Sequence, residues 1–246
     1  MDPDGENLRD AQCAVAVFAC ARLLADTIAS TPWHLYERYT RQSLLTPLIS
    51  QPCAGVDSSE WKWRNVTSLA LRGNAYNLIT ARDGDGHPAE LTPLHPDAVT
   101  AIQRTPDADG MIYLVAGDRV RPMDIVHITR YRMPGQLFGL SPIRQAAQSI
   151  GISIAAEEPT PGVGIDWKPI TIAPEELRFL EDRNFGAPQI ACIYGIPPSL
   201  IDGRTEDALD VHTTMNWTAC IEQAVSSCLP RGQFVRFEQY AQLHRS

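Results

Sequence analysis

Apolar residues at Val17, Cys20, Leu24 and Ile28 recur at helical spacing, and Asp10 precedes them as an N-cap residue, so the pattern predicts a helix over Ala11–Ala29. Ser30-Thr-Pro32 ends it, and Trp33–Arg38 then alternates apolar and polar as a half-buried strand does. Turn residues fill Gln51–Ser59. A second helix follows over Glu60–Arg72, closed by Gly73-Asn74, the two residue types for which a left-handed C-cap costs least. Short strands are predicted at Ala75–Thr80, Glu90–Leu94, Val99–Gln103, Met111–Val115 and Ile125–Thr129. The turn signals Asp83-Gly-Asp-Gly86 and Pro106-Asp-Ala-Asp-Gly110 between them favour antiparallel pairing.

Helices return in the second half. Ser141 suits an N-cap and Pro142 the first helical position, opening a helix to about Glu158 with Ile143, Ala147, Ile150 and Ile154 on one face. Pro159-Thr-Pro-Gly-Val-Gly164 breaks the pattern, and Trp167–Ile172 reads as a strand. Pro174-Glu-Glu begins another helix, anchored by Leu177, Leu180 and Phe185, which Gly186-Ala-Pro188 bends or interrupts before Gly195 and Pro197-Pro198 stop it. A polar stretch, Asp202–Asp210, leads into a helix over Val211–Cys228, a turn at Leu229–Gly232 and a last strand, Gln233–Phe237. Nineteen prolines chop the chain too finely for a long coiled coil.

Composition narrows the function classes. The formal net charge of -8 over 246 residues argues against a simple electrostatic nucleic-acid binder. No signal-peptide pattern opens the chain, and no apolar run approaches the roughly 18 residues needed to span a bilayer, so a cytosolic origin is expected. The six cysteines lack C-x-x-C spacing and read as reduced thiols. Asp83-Gly-Asp-Gly86 fails as a calcium loop, because position twelve is Leu94 rather than a bidentate Glu. Ser141 fails as a nucleophile elbow, because Ile143 stands where G-x-S-x-G needs glycine. No G-x-x-x-x-G-K-[ST] phosphate loop occurs. An enzyme would have to use His95 with Asp97, or Asp124 with His127, and neither pair has a nucleophile or metal set in the sequence beside it. In a cytosolic adaptor, Trp61, Trp63 and Trp217 would be the interface anchors.

Several segments, in order, resemble the HK97-type portal proteins of tailed bacteriophages: Leu71-Arg-Gly-Asn-Ala-Tyr76, Leu94-His-Pro-Asp-Ala-Val99, Gly139-Leu-Ser-Pro-Ile143, Ala155-Ala-Glu-Glu158, Trp167-Lys-Pro-Ile170, Phe179-Leu-Glu-Asp-Arg183 and Ile193-Tyr-Gly-Ile-Pro-Pro198. The resemblance implies an α+β fold: a portal-type wing of helices and short antiparallel strands, a two-helix stem and a truncated clip. On that pattern residues 1–140 are wing, 141–158 the first stem helix, 159–173 a clip remnant, 174–198 the second stem helix, and 199–246 a channel loop, a following helix and a return strand to the wing. In the family a small α/β module of several tens of residues precedes the Trp-Lys-Pro strand. Here Pro159 follows Glu158 at once, so either the module is mostly lost or the chain joins residues across a gap; the gap is the expected reading, because a stem helix that ends in Pro-Thr-Pro has nowhere to go.

The resemblance further implies a structural protein, not an enzyme, with no cofactor and no metal. It would form a homo-oligomeric ring, typically of twelve subunits, at the capsid vertex of a virion assembled in a bacterial cytoplasm. Double-stranded DNA would pass without sequence preference, and the terminase large subunit, capsid and head–tail connector proteins would be partners. The channel-loop residues would be Arg204, Thr205, Glu206, Asp207, Asp210 and His212, with Arg204 and His212 near phosphates and the three carboxylates repelling them. The contrasting readings are a cytosolic oligomeric adaptor without a DNA channel, and a hydrolase.

Overall fold

The computed structural model describes residues 3–38, 43–44, 46–103, 111–154, 170–201 and 211–238. Its helices are α1 (Pro3–Ser30), α2 (Pro47–Ser50), α3 (Ser58–Arg72), α4 (Pro142–Ser149), α5 (Pro174–Asp182), α6 (Ala187–Tyr194), α7 (Pro198–Ile201) and α8 (Val211–Ser227). Its strands are β1 (Trp33–Glu37), β2 (Ser43–Leu44), β3 (Asn74–Arg82), β4 (Pro88–Leu94), β5 (Val99–Gln103), β6 (Met111–Val115), β7 (Asp118–Val120), β8 (Ile125–Thr129) and β9 (Gln233–Phe237). The strands form three antiparallel sheets, ordered β2-β1-β9, β4-β3-β8 and β5-β6-β7.

One large core joins the two halves of the chain. The inner face of α1 (Val17, Cys20, Leu24 and Ile28) is fully sequestered and meets Trp61, Leu69 and Ala70 of α3, Leu180 of α5, Ile190 and Tyr194 of α6, and Trp217 and Ile221 of α8. A smaller cluster, including Tyr76, Leu94, Val99, Tyr113 and Ile125, fills the space between β3-β4-β8 and β5-β6-β7. Several polar groups inside the large core are paired, as burial favours, while Trp217 Nε1 finds no hydrogen-bond partner among the described residues. Trp61 Nε1 donates to the Leu91 carbonyl at 2.9 Å, and Lys62 Nζ donates to the Thr31 carbonyl at 2.7 Å. Burial pulls the Lys62 ammonium down to about 8. Asn65 and Asn77 exchange amide hydrogen bonds of 3.3 and 2.7 Å, tying α3 to β3.

Several boundaries differ from the sequence reading, each for a local reason. The first helix begins at Pro3, so Asp10 lies inside it rather than capping it; proline is favoured at a first helical turn. Its Gln12–Ser30 stretch is long and apolar enough to cross a bilayer by length and composition, contrary to the reading above. The apolar surplus is explained by a face buried against α3, α5 and α6. The second helix is capped by Asp57, whose carboxylate accepts from Glu60 N at 2.8 Å. The helix expected over 142–158 stops at Ser149, because Gly151 takes φ +79° and Ile152 N donates back to the Ala147 carbonyl at 2.9 Å. The helix expected from Pro174 to Tyr194 is two, broken at Arg183–Gly186, where Asn184 takes φ +54° and Gln189 Oε1 accepts from Gly186 N. The predicted break at Gly186 is therefore real. The last strand spans Gln233–Phe237 as read, and pairs with β1 in a five-residue register from Trp33↔Phe237 to Glu37↔Gln233.

Candidate functional site

Of the six channel-loop candidates, Arg204, Thr205, Glu206, Asp207 and Asp210 lie outside the described residues, and His212 falls at the start of α8 with its side chain undescribed. What the structure describes is the frame from which that segment springs. On the incoming side, α6 ends at Gly195, which takes φ +74° as a left-handed cap, and Ile196 is buried just beyond it. Then α7 leads to Ile201. On the outgoing side, α8 is held by Trp217, Ile221 and Val225, none of them exposed. The two sides are tied together: Thr213 Oγ1 donates to the Gly195 carbonyl at 2.8 Å, linking the first turn of α8 to the end of α6. Tyr194 anchors the incoming side to α3, donating to the Ala70 carbonyl at 3.2 Å, and full burial holds its phenol well above the usual range.

The outgoing side is clamped to the β8 end. The Arg130 guanidinium lies 3.9 Å from the Trp217 ring centre and 4.4 Å from that of Tyr131, a cation–π contact with two rings set edge to face, and Arg130 also donates to the Asn216 carbonyl. Arg130 itself is placed by backbone bonds: its N–H donates to the Gly73 carbonyl at 2.9 Å, and its carbonyl accepts from Leu140 N at 3.0 Å.

This leads to the Arg72-Gly73-Asn74 segment, where every residue has a distinct task. Arg72 forms a two-pronged pair with Asp97 at 2.8 and 3.1 Å and donates to the Thr171 carbonyl at 2.9 Å. Gly73 takes φ +72°, and a Cβ there would lie 2.1 Å from the Leu140 carbonyl carbon. The Asn74 amide donates to the Gly139 and Arg72 carbonyls, both at 2.9 Å, and its oxygen accepts from Gly139 N at 2.7 Å. His127 Nε2 approaches the same oxygen at 3.0 Å, and Tyr113 OH lies 3.1 Å from Nδ1. Because the Asn74 oxygen can only accept, these contacts assign the His127 proton to Nε2, with Tyr113 donating to Nδ1. Burial and the Arg132 charge push the His127 pKa down to about 3.

Next to this node sits a buried ionic triad. Glu176 on α5, 1% exposed, accepts from Ser141 Oγ at 2.6 Å and from Arg144 Nε at 3.0 Å on α4. Ser141 also caps α4 by accepting from Arg144 N at 3.1 Å. Sequence reasoning identified Ser141 as a cap but missed Glu176 as its partner; a glutamate in a first helical turn reads as a dipole effect, and nothing local announces its burial.

The enzyme candidates take structural places. His95 caps a single helical turn by accepting from Asp97 N at 3.2 Å, and Asp97 is engaged by Arg72. Asp124 is held by Arg82 at 2.9 Å and Arg121 at 2.6 Å, which together lower its pKa, whereas His127 faces Asn74 and Tyr113. The tryptophans offered as interface anchors are core residues at Trp61 and Trp217, both 0% exposed, and Trp63 donates to Asp26 at 2.9 Å. Packing takes them because their rings fill the seams between α1, α3 and α8.

Comparison with known proteins fits this geometry. A family described as phage portal protein matches residues 15–160, more than half of the chain and the whole Arg72–Gly139–Glu158 region. The chain belongs to the phage portal protein family. Among its curated relatives, the "Probable portal protein" of Streptomyces phage phiC31 is 28% identical over 263 aligned positions, which take in 80% of this chain and 56% of that one. The chain thus spans a little over half of that relative's length. Because 263 positions exceed the 246 residues of the chain, the relative carries internal residues that this chain lacks, about a quarter of the aligned positions.

Solved structures share the fold. An HK97-family phage portal protein from Corynebacterium diphtheriae is 17% identical with a TM-score of 0.57, over 95% of each chain. A chain in the neck of a native gene transfer agent particle, computed with C12 symmetry, is 21% identical with a TM-score of 0.55, over 97% of this chain and 83% of that one. The family is a structural one, and this portal chain has the mixed helical and antiparallel architecture of its neighbours.

Proposed function

We propose that this chain is one wedge of a homo-oligomeric ring, twelve copies by pattern, at the vertex of a phage or phage-like capsid. Double-stranded DNA passes through its centre during packaging and ejection. The family match over residues 15–160 carries this reading. The fold shared with a C12-symmetric neck particle supports the ring, since that neighbour's described setting is a twelve-fold one.

Residues 202–210 are the channel loop on this reading. The Thr213–Gly195 bond supports it, because a loop that must stand against moving DNA needs a closed base, and the Arg130–Trp217 stack supports it by bracing the outgoing helix. Repeated around an axis, Arg204 and His212 meet phosphates, while Glu206, Asp207 and Asp210 keep the grip weak. The net charge of -8 is in keeping with a channel that lets DNA slide. The terminase large subunit, capsid proteins and head–tail connectors are the expected partners of the assembled ring.

A topological assay tests the function. Rings assembled in the presence of closed circular duplex stay on it through a high-salt wash and leave once the circle is cut, because enclosure does not depend on counterion release. Equal, salt-sensitive retention on circular and linear DNA contradicts a channel. No retention on either by well-formed rings favours the oligomeric adaptor.

A further inference from the structure

Sheet β2-β1-β9 has two edges, and they are treated differently. Along one, β2 is only Ser43–Leu44, a template too short to hold a partner strand. The other edge is β9, Gln233-Phe-Val-Arg-Phe237, with aromatic or β-branched residues at three of its five positions. The bonds to β1 set its parity. Glu238 N donates to the Pro32 carbonyl at 2.8 Å, and Arg38 N donates to the Gly232 carbonyl at 2.7 Å. Even-numbered positions therefore bond to β1, and the N–H groups of Gln233, Val235 and Phe237 point away from it.

Each of those outward donors is already engaged. Gln233 N donates to the Pro230 carbonyl at 3.0 Å, closing the turn before the strand. Val235 N donates to Ser226 Oγ at 2.9 Å and Phe237 N to Glu222 Oε1 at 2.8 Å, both acceptors on α8. Spacing makes this possible. Four helical residues rise roughly 6 Å and two strand residues advance roughly 6.8 Å, so side chains one turn apart on α8 meet alternate N–H groups of β9. The order is reversed, 226 with 235 and 222 with 237, so α8 lies antiparallel to β9, as a further strand of this sheet would.

Packing alone does not call for Glu222. It is 8% exposed, and a carboxylate there is costlier to bury than an apolar side chain. An apolar side chain cannot accept from Phe237 N. Arg236 Nη1, 3.2 Å from Glu222 Oε2, offsets the charge. Left bare, the strand could pair with itself. Two antiparallel β9 edges centred on Val235 set Val235 against Val235, Gln233 against Phe237 and Phe234 against Arg236. No like charges then face each other, and the outward N–H groups fall at the bonded positions.

We propose that Glu222 and Ser226 are edge-guarding residues: they make α8 a stand-in for a fourth strand and shut β9 against edge-to-edge pairing with β9 of a second copy of this chain. The guard goes beyond the ring reading and does not depend on it.

The test uses the full chain. Glu222→Ala with Ser226→Ala bares two N–H groups, whereas Glu222→Gln keeps an accepting oxygen for Phe237 N. Asn74→Ala, which breaks buried hydrogen bonds at the Gly139 node, controls for lost stability. Sedimentation velocity reads association, and residue-resolved amide exchange reads Val235 and Phe237. The double variant should put roughly tenfold more mass into species above the wild-type assembly state than either control, with both amides open at dilution and protected again in the associated fraction. Association no greater than that of Asn74→Ala, or association that leaves both amides open, overturns the guard. Glu222→Gln should match wild type; if it associates as the double variant does, the accepted bond is not what closes the edge. Should the double variant fail to fold, Ser226→Ala alone carries the reading: Val235 exchanges faster and association rises, and an unchanged chain refutes the guard. Because each result is an excess over wild type, it holds whether wild type is a monomer or a ring, and its failure leaves the ring reading standing.

Discussion

Asn74 holds Gly139 by both of its backbone groups, donating to the carbonyl at 2.9 Å and accepting from the N–H at 2.7 Å across 65 residues of chain. One side chain thereby plays the part of a neighbouring strand, and it fixes the approach to α4 against the start of β3. Asn74→Ala should cost roughly 2–3 kcal/mol, since it strands a buried donor and acceptor at once. Asn74→Asp should cost at least as much, because a carboxylate cannot donate to the Gly139 and Arg72 carbonyls. Urea denaturation of the two variants measures this.

The close approach at this node explains two glycines. A Cβ at Gly139 would lie 2.2 Å from the Arg130 oxygen and 2.3 Å from the Gly73 oxygen, with no flexible side chain to give way. Gly139→Ala should therefore fail to yield stable protein. Gly55→Ala is the matched control: its φ is +74° but nothing lies within 4 Å, so it should cost only about 1 kcal/mol. Soluble expression and thermal melts distinguish the two.

Half-buried and neutral, His127 makes stability depend on pH. Its pKa falls from 6.5 to about 3 on folding. Below pH 6.5 the unfolded chain takes up a proton that the folded chain refuses, so stability is full above 6.5 and declines as pH falls toward 3. The slope from this group approaches about 1.4 kcal/mol per pH unit. Between pH 6.5 and 5, before most carboxylates titrate, His127→Gln should flatten the decline relative to wild type. Parallel slopes in denaturant titrations at stepped pH would contradict the assignment.

Breaking the Glu176 triad should be costly. Glu176→Ala takes one carboxylate away from Arg144, itself mostly buried, and removes the partner of Ser141. The expected loss is about 3–5 kcal/mol. Combining Glu176→Ala with Arg144→Met should recover part of it, and a double-mutant cycle by calorimetry reads the coupling.

Thr213→Val removes the hydroxyl that ties the first turn of α8 to Gly195 and keeps the shape. The expected global loss is about 1 kcal/mol. Amide exchange should quicken locally at Gly195–Ile201 and at the first turn of α8, with the α1 core unchanged. Uniformly faster exchange would show that the bond is not a local clasp.

Much of this architecture was legible from local signals. The Gly73 cap, the Ser141-Pro142 start and the Met111–Val115 and Gln233–Phe237 strands were read correctly because each is written in a few adjacent residues. The Gly151 stop is equally local, but the apolar spacing of Ile143, Ala147, Ile150 and Ile154 runs straight across it and masks it. What stayed hidden is long-range. Asn74 read as half of a helix cap, yet its chief partner is Gly139; Thr213 read as an ordinary helix residue, yet it clasps Gly195. Hydrogen bonds between residues far apart in sequence leave no spacing to detect. Family resemblance located Arg72-Gly-Asn74 without explaining it.

The central claim is that copies of this chain enclose a duplex. Electron microscopy of the purified full chain, taken with and without linear duplex DNA, tests it most directly. The account predicts closed rings of one symmetry with a central opening wide enough for a duplex and the 202–210 segments at its rim. Only monomers, or closed assemblies with no axial opening, would contradict it.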